Sequence, residues 1–448
     1  MSFKLKSIPG SIVAPQGFQS SGVFCDIKRL GTGKGSNKGR KLDLGLIVSQ
    51  KPATAAGLFT TNQVCAAPVK VCIPKVKAGH AQAIVVNSGN ANACTGRRGL
   101  KDADRMAGLA AGLLGLDAAK VLVASTGRIG VPLPMQNVER GIAAASQSLG
   151  HDIPHADQTA EAIMTSDSRP KQAAVEFSLG GKIVRLGGIC KGAGMIQPGM
   201  SPDGKHPASQ PQGLHATMLA FLTTDATVEA SVLQAALNEA VALSFNRITV
   251  DGDMSTNDTV LVLANGAAGA RSVTQADLKS RSSAYRVFSA ALQRVCLELA
   301  LMIVRDGEGV HRVVTVRIHG ADSHREADAA ARSIGNSALV KTSWHGGDPN
   351  WGRIIDALGY SPARVVEEKV DIGYSTPGSK KILWTLRRGQ PTKTSFKAQC
   401  AAVSPKEFDL HVRLNLGAGS AVLYAADLTE EYVDFNKGDV GDPASLGG

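Results

Sequence analysis

His215-Ala216-Thr217-Met218-Leu219-Ala220-Phe221-Leu222-Thr223-Thr224-Asp225 is the stretch on which the reading of this chain of 448 residues turns. It sets a threonine after a small residue, near mid-chain, where an apolar and strand-like run begins. A threonine hydroxyl stays protonated at neutral pH and is a poor nucleophile. If the chain is cut before it, the freed α-amine can serve as its general base. That amine titrates at about 7.7–8.0, far closer to working pH than the hydroxyl does. Read so, the chain is a precursor that cleaves itself between Ala216 and Thr217. The alternative is an ordinary threonine at the head of a buried strand, and the local pattern alone favours it.

The composition narrows the choice of class. A chain of 448 residues exceeds one compact core and implies two or three subdomains. With 43% hydrophobic and 19% charged residues it reads as globular, not disordered. Aromatics make up only 4% while glycine occurs 49 times. That balance suits close-packed sheets with tight turns and argues against a nucleic-acid reader that stacks bases on aromatic platforms. The formal charge of +11 has its clearest local excess at Lys28, Arg29, Lys34, Lys38, Arg40 and Lys41, expected as a solvated loop. A general positive field favours small anionic substrates. The seven cysteines (25, 65, 72, 94, 190, 296 and 400) are odd in number and form no Cys-x-x-Cys pair. Buried free thiols in a reducing compartment are expected. The first ten residues lack the apolar core of a signal peptide, and no apolar run reaches membrane-spanning length, so the expected location is the cytoplasm.

Short apolar runs alternate with helical patterns, which predicts an α/β (α+β) fold. Residues 44–48, 83–86 and 121–124 read as buried strands, and 102–114 and 137–148 as helices. A strand from Thr217 to about Thr224 is followed by a helix over 228–243 and a long one over 275–303. Residues 313–318, 370–372, 410–416 and 421–425 read as strands of a final α+β region. Residues 199–214 are polar, proline-containing and aperiodic, and are expected as a surface loop directly upstream of the cut.

Several stretches have the chemistry of a site. Asn87-Ser88-Gly89-Asn90-Ala91-Asn92-Ala93-Cys94-Thr95-Gly96 and Ser125-Thr126-Gly127-Arg128-Ile129-Gly130 each follow a strand and read locally as turns. In the second, the backbone N–H groups and the Thr126 hydroxyl suit a developing oxyanion, the largest electrostatic need of acyl transfer. Thr165-Ser166-Asp167-Ser168-Arg169-Pro170-Lys171 has the make-up of an Asp/Ser turn. Lys191-Gly192-Ala193-Gly194-Met195-Ile196 sets one cation among glycines, suited to a carboxylate. Arg305-Asp306-Gly307-Glu308-Gly309 ends an apolar helix with either an exposed turn or a carboxylate for a substrate ammonium. There is no Gly-x-Ser-x-Gly elbow and no His-Glu-x-x-His, and Pro154 spoils a helical metal face for His151 and His155. No metal site is expected.

Taken in order, these motifs resemble the bacterial ArgJ family of bifunctional ornithine acetyltransferase/glutamate N-acetyltransferases. The resemblance runs over nearly the whole chain and includes residues 52–61, 87–96, 125–130, 191–196, 216–226, 244–253, 255–259 and 348–354. It reverses the local reading of Thr217. It implies an N-terminal-nucleophile-type layered α-β-β-α sandwich with an additional α+β subdomain. It implies cleavage into an α chain of residues 1–216 and a β chain of 217–448, with a C-terminal region from about residue 310, the chains staying together as α2β2. By the same resemblance, Thr217 takes acetyl from N2-acetyl-L-ornithine and passes it to L-glutamate. Thr126 and Gly127 form the oxyanion hole, and Thr165, Lys191, Thr217, Glu308 and Asn436 contact substrate. No cofactor, metal, nucleic acid or membrane partner is implied, and acetyl-CoA as a second donor is left open.

The chain departs from the family pattern at three places. About fifteen extra residues follow Met200, and cleavage would leave this 199–215 insertion on the α chain's new tail, where a polar segment is tolerated. Asn436 is followed five positions later by Gly441, where the family has Thr or Ser. The basic stretch 31–40 is longer than usual. Two other functions compete. A self-processed hydrolase of the β-aminopeptidase sort would release acyl groups to water without dependence on glutamate. An unprocessed basic binding protein would remain a single chain.

Overall fold

Two apolar runs, Leu219–Thr224 and Thr259–Ala264, are buried along their whole length and lie side by side as parallel strands. Around them the computed structural model describes residues 3–28, 41–205 and 218–437. Ala216 and Thr217, the basic residues 29–40 and the tail with Gly441 lie outside the described residues.

In chain order the strands are β1 (Lys6–Ser7), β2 (Phe18–Val23), β3 (Leu44–Phe59), β4 (His80–Asn90), β5 (Val121–Arg128), β6 (Lys171–Leu179), β7 (Lys182–Lys191) and β8 (Leu219–Thr224). They continue with β9 (Ile248–Thr249), β10 (Thr259–Ala264), β11 (Val313–Ala321), β12 (Asp371–Ser375), β13 (Leu383–Arg387), β14 (Gln390–Pro391), β15 (Glu407–Arg413) and β16 (Gly419–Ala426). The helices are α1 (Ala67–Lys77), α2 (Gly96–Leu114), α3 (Met135–Gln147), α4 (Ile153–Ala162), α5 (Ala230–Ala242) and α6 (Gln275–Ser280). Then come α7 (Ser283–Arg305), α8 (His324–Asn336), α9 (Ala338–His345), α10 (Trp351–Gly359), α11 (Phe396–Val403) and α12 (Glu430–Phe435).

The larger sheet runs β1-β6-β7-β8-β10-β3-β4-β5, with β2 also paired to β3. Its central strands separate two cores. Leu219, Phe221, Leu261 and Leu263 join the core under α1–α4, whereas Ala220, Leu222, Val260 and Val262 join the one under α5 and α7. Alternate side chains point to opposite faces, and both faces are covered, so these strands read as continuous apolar runs. The smaller sheet, β14-β13-β12-β15-β11-β16-β9, carries its own core beneath α8–α10. The α/β class with layered helices and sheets is as expected.

Differences from the sequence reading have local causes. The run over 44–48 continues to Phe59, because β3 exchanges β2 for β10 as its partner across an irregular register between Val48 and Ala53. Residues 87–90 and 125–128 are strand ends, not turns after strands: Ser88 opposes Thr126 and Gly89 opposes Gly127 in parallel register. The helix expected over 275–303 is two helices. Thr274 caps α6 in a capping box, and Arg281 turns left-handed so that Ser282 can cap α7. The strand expected to Leu416 ends at Arg413, before the left-handed Asn415.

The 199–214 stretch is not all surface loop. Ser201 exchanges two backbone hydrogen bonds with Phe59 (2.8 and 2.9 Å), and Met200 is buried. Lys28 departs from the solvated-loop expectation too. It is 4% exposed, donates to the Leu42 carbonyl at 2.5 Å, and burial pushes its ammonium down to about 8. No membrane-length apolar run was expected, yet among the described residues α7 is long and apolar enough to cross a membrane. Its most apolar window is 61% buried and packs into the second core.

Candidate active site

Lys191 ends β7, opposite Leu219 of β8. Its side chain is only 3% exposed. A buried ammonium needs acceptors and counter-charge; Nζ donates to Thr165 Oγ1 at 2.7 Å and lies 3.8 Å from Asp167 Oδ2. Burial pushes the ammonium below its usual range, against the pull of Asp167. Asp167 accepts from Lys171 Nζ and from the Gly192 N–H, both at 2.6 Å, and from the Thr165 N–H at 3.0 Å. Burial alone would raise this carboxyl; Lys191 and Lys171 hold it well below the carboxylate range. Lys171 also donates to Asp306 Oδ2 at 2.5 Å. The 165–171 stretch is thus a turn built over a buried charge network, which its local make-up does not announce.

Glu308 follows α7 and is anchored through its N–H to the Ala193 carbonyl at 3.0 Å. Its Oε2 accepts from Asn436 Nδ2 at 2.9 Å, and its carboxylate is also hydrogen-bonded by Ser166. Burial raises this carboxyl, while Ser166 and Asn436 oppose the rise. Gly194 makes room for it, since a Cβ there would stand 2.4 Å from Glu308 Cδ. Four of the nominated residues therefore converge: Thr165 touches Lys191, and Ser166, next in the chain, touches the Glu308–Asn436 pair.

Thr126 and Gly127 belong to a second group. Thr126 is fully buried, and its Oγ1 has no hydrogen-bond partner among the described residues. Gly127 has φ 128°, and a Cβ would lie 2.4 Å from the Gly89 carbonyl carbon. Only glycine suits that approach. Asn257 secures this end of β5, donating through Nδ2 to the Ala91 and Ser125 carbonyls at 2.7 Å each. Thr217 lies outside the described residues. Met218, its neighbour in the chain, is fully buried at the head of β8, and its carbonyl accepts from the Thr259 N–H at 3.1 Å. Among the described residues no cluster of three His, Cys, Asp or Glu is placed to hold a metal.

A buried cation and a part-buried carboxylate at the glycine-rich end of β7 have the charges to suit a small zwitterion. Comparison with known proteins agrees in family. The model of the ArgJ family matches residues 27–438. The "Arginine biosynthesis bifunctional protein ArgJ" of Symbiobacterium thermophilum is 44% identical over 429 residues, 96% of this chain and 98% of the relative. The protein of the same name from Geobacter sulfurreducens is 42% identical over 94% of this chain and 98% of its own. The chain belongs to the ArgJ family. Among solved structures, the arginine biosynthesis bifunctional protein argJ of Bacillus halodurans is 37% identical, covering 45% of this chain and all of its own (TM-score 0.41). Ornithine acetyltransferase of Mycobacterium tuberculosis, solved with ornithine, is 35% identical over 44% of this chain and all of its own (TM-score 0.40).

In this ArgJ-family chain, sequence reasoning gave no role to Asp167, Lys171, Ser166, Asn257 or Asp258. The only local signal was the density of charged and hydroxyl residues over 165–171 and 255–259. Their burial is set by partners far along the chain.

Proposed function

We propose that this chain moves an acetyl group from N2-acetyl-L-ornithine to L-glutamate through an acetyl ester on Thr217. The observation that supports it most is the opposed pair Lys191 and Glu308, linked through the adjacent residues Thr165 and Ser166. Lys191 has the charge for an amino-acid carboxylate and Glu308 the charge for the ornithine side-chain ammonium. Asn436 and Thr165 add hydrogen bonds at either end.

In the first half-reaction the Thr217 hydroxyl attacks the acetyl carbonyl and its proton passes to the Thr217 α-amine. The oxyanion that forms is held by Thr126 and Gly127. The C–N bond then breaks, the ammonium returns the proton to the leaving ornithine amine, and the acetyl ester remains. The amine of glutamate attacks that ester in the second half-reaction, and Thr217 leaves with its proton restored. An amide is exchanged for an amide, so no external energy source is required. The relatives' printed name, bifunctional, extends the proposal to acetyl-CoA as a second donor to the same threonine.

Maturation uses the same hydroxyl. It attacks the Ala216 carbonyl, the peptide nitrogen leaves as the new α-amine, and water hydrolyses the resulting ester. The division into residues 1–216, with 199–215 as the tail, and 217–448, and the α2β2 assembly, belong to this proposal. β8 and β10 would then pair on their outer edges with β7 and β3 of the other chain, six residue pairs on each side, which favours lasting association. All seven cysteines are free and four are buried, in keeping with the cytoplasm.

A denaturing gel and intact mass of the purified protein should give two fragments divided at Ala216-Thr217, and Thr217→Ala a single chain. Acetylornithine turnover should depend on glutamate. A full-length chain with undiminished turnover would overturn the proposal, and acetyl release indifferent to glutamate would favour a β-aminopeptidase-like hydrolase.

A further inference from the structure

Asn257 and Asp258 are neighbours in the chain that reach in two directions. Asn257 holds the end of β5 through the Ser125 carbonyl, one residue before Thr126. Asp258 accepts through Oδ1 from the Met218 N–H at 2.5 Å, at the head of β8. The main chain between them is itself fixed. The Asp258 carbonyl accepts from the Thr60 N–H at 2.8 Å, and Thr259 opens β10 opposite Leu219. Asp258 is 0% exposed, and its second oxygen, Oδ2, is buried with no hydrogen-bond partner among the described residues.

We infer that Asp258 is a positioning residue for Thr217, a side-chain acceptor that fixes the Met218 N–H, and so the start of β8, against the Thr126–Gly127 end that Asn257 holds. This rests on the acetyl-threonine reading and deepens it. An ionised carboxylate with one bare oxygen in the core is costly, and a neutral one is less so. Burial drives this carboxyl well above the carboxylate range, with the Met218 N–H, Lys191 and the Ser255 N–H pulling the other way. A backbone ladder alone would leave the first N–H of a strand free to shift. A side-chain acceptor from a loop that also grips β5 ties the nucleophile strand to the oxyanion donors. Asp258 transfers no proton in this scheme.

The test compares full-length wild type, Thr217→Ala, Asp258→Ala and Asp258→Asn for self-cleavage and for kcat and KM of the matured fraction. Thr217→Ala must abolish both cleavage and transfer; if it does not, the acetyl-threonine reading fails, independently of Asp258. With that control in place, Asp258→Ala should cleave slowly and lose about 10–100-fold in kcat, with KM for acetylornithine changed less than about twofold, as for a small misplacement of reacting groups. Asp258→Asn keeps a neutral acceptor and should restore kcat to within about threefold of wild type. Wild-type kcat in Asp258→Ala, or Asp258→Asn as impaired as the alanine, would overturn the inference. Should Asp258→Ala not fold, Asp258→Asn decides alone: a folded protein with kcat more than about tenfold down overturns it.

Discussion

The Lys191 ammonium donates to Thr165 Oγ1 at 2.7 Å, and Asp167 touches both partners, accepting the Thr165 N–H at 3.0 Å and lying 3.8 Å from Lys191. The cation is held in place before any substrate arrives, at the cost of its hydration. In the proposed reaction a substrate carboxylate would meet a cation already stripped of its water, which favours binding. Lys191→Met is therefore expected to raise KM for both acetylornithine and glutamate, and to lower kcat/KM about 100-fold or more, as loss of one partner of a buried charge pair does. Steady-state kinetics with each substrate varied checks this; an unchanged KM would remove Lys191 from the binding site.

Asp167 is the hinge of stability in the same network, for its side chain is fully buried between Lys171 and Lys191. Asp167→Asn leaves two buried ammonium groups short of a counter-charge and should cost about 3–5 kcal/mol in urea unfolding. The sign with pH follows from its depressed folded value. Its contribution is present above the unfolded carboxyl value of about 3.9 and is lost only as pH falls below that. The gap between wild type and variant should thus be level from pH 5 to 8 and narrow in stronger acid (~pH 3 and below).

Asp167 also marks where sequence reading stops. Lys171 stands four residues on, in a stretch with the make-up of an exposed turn, and its second carboxylate partner, Asp306, is 135 residues away. No local period encodes that contact. Conversely, the runs at 44–48, 83–86 and 121–124 were legible as strands because both faces of their sheet are covered by helices. Their polar continuations were not. Ser125 Oγ donates to Asn87 Oδ1 at 2.6 Å, so residues that read as turn formers satisfy one another inside the ladder. The charge roles of Lys191 and the 305–309 carboxylate were legible from the residues, Thr165 and Asn436 came from the family resemblance, and what the structure adds is that Thr165, Lys191, Glu308 and Asn436 share one connected cluster.

Thr126 offers a clean separation of catalysis from folding. Its hydroxyl is buried with no partner among the described residues, so removing the oxygen sacrifices no hydrogen bond there. Thr126→Val, close in shape, should shift stability by less than about 1 kcal/mol and lower kcat about 10²–10³-fold, the usual cost of one oxyanion donor. Gly127→Ala should fail differently, because the new Cβ meets the Gly89 backbone at 2.4 Å and the φ of 128° disfavours a side chain. It should lower the melting temperature as well as kcat. A Thr126→Val enzyme with normal kcat would exclude the hydroxyl from the oxyanion hole.

His411, on β15 of the smaller sheet, sets an acid limit on that sheet. Its Nε2 shares a 2.9 Å hydrogen bond with Ser375 Oγ, and its ring stacks on His319 with centroids 6.4 Å apart. Burial lowers its ordinary value to about 4; Asp409 opposes the shift, while Arg317, His319 and Arg413 reinforce it. An unfolded histidine titrates near about 6.5, so between that value and about 4 the unfolded chain binds a proton that the folded one refuses. Stability from the neutral ring is complete above this window and drains away as pH falls through it. Asp409, itself paired to Arg317 at 2.8 Å, is the group that attracts a charged imidazole, and burial outweighs it. His411→Gln keeps a polar side chain but cannot titrate, so its melting temperature should fall less steeply than that of wild type from pH 6.5 to 4. Parallel slopes in the two proteins would show that the ring takes up its proton without disturbing the sheet.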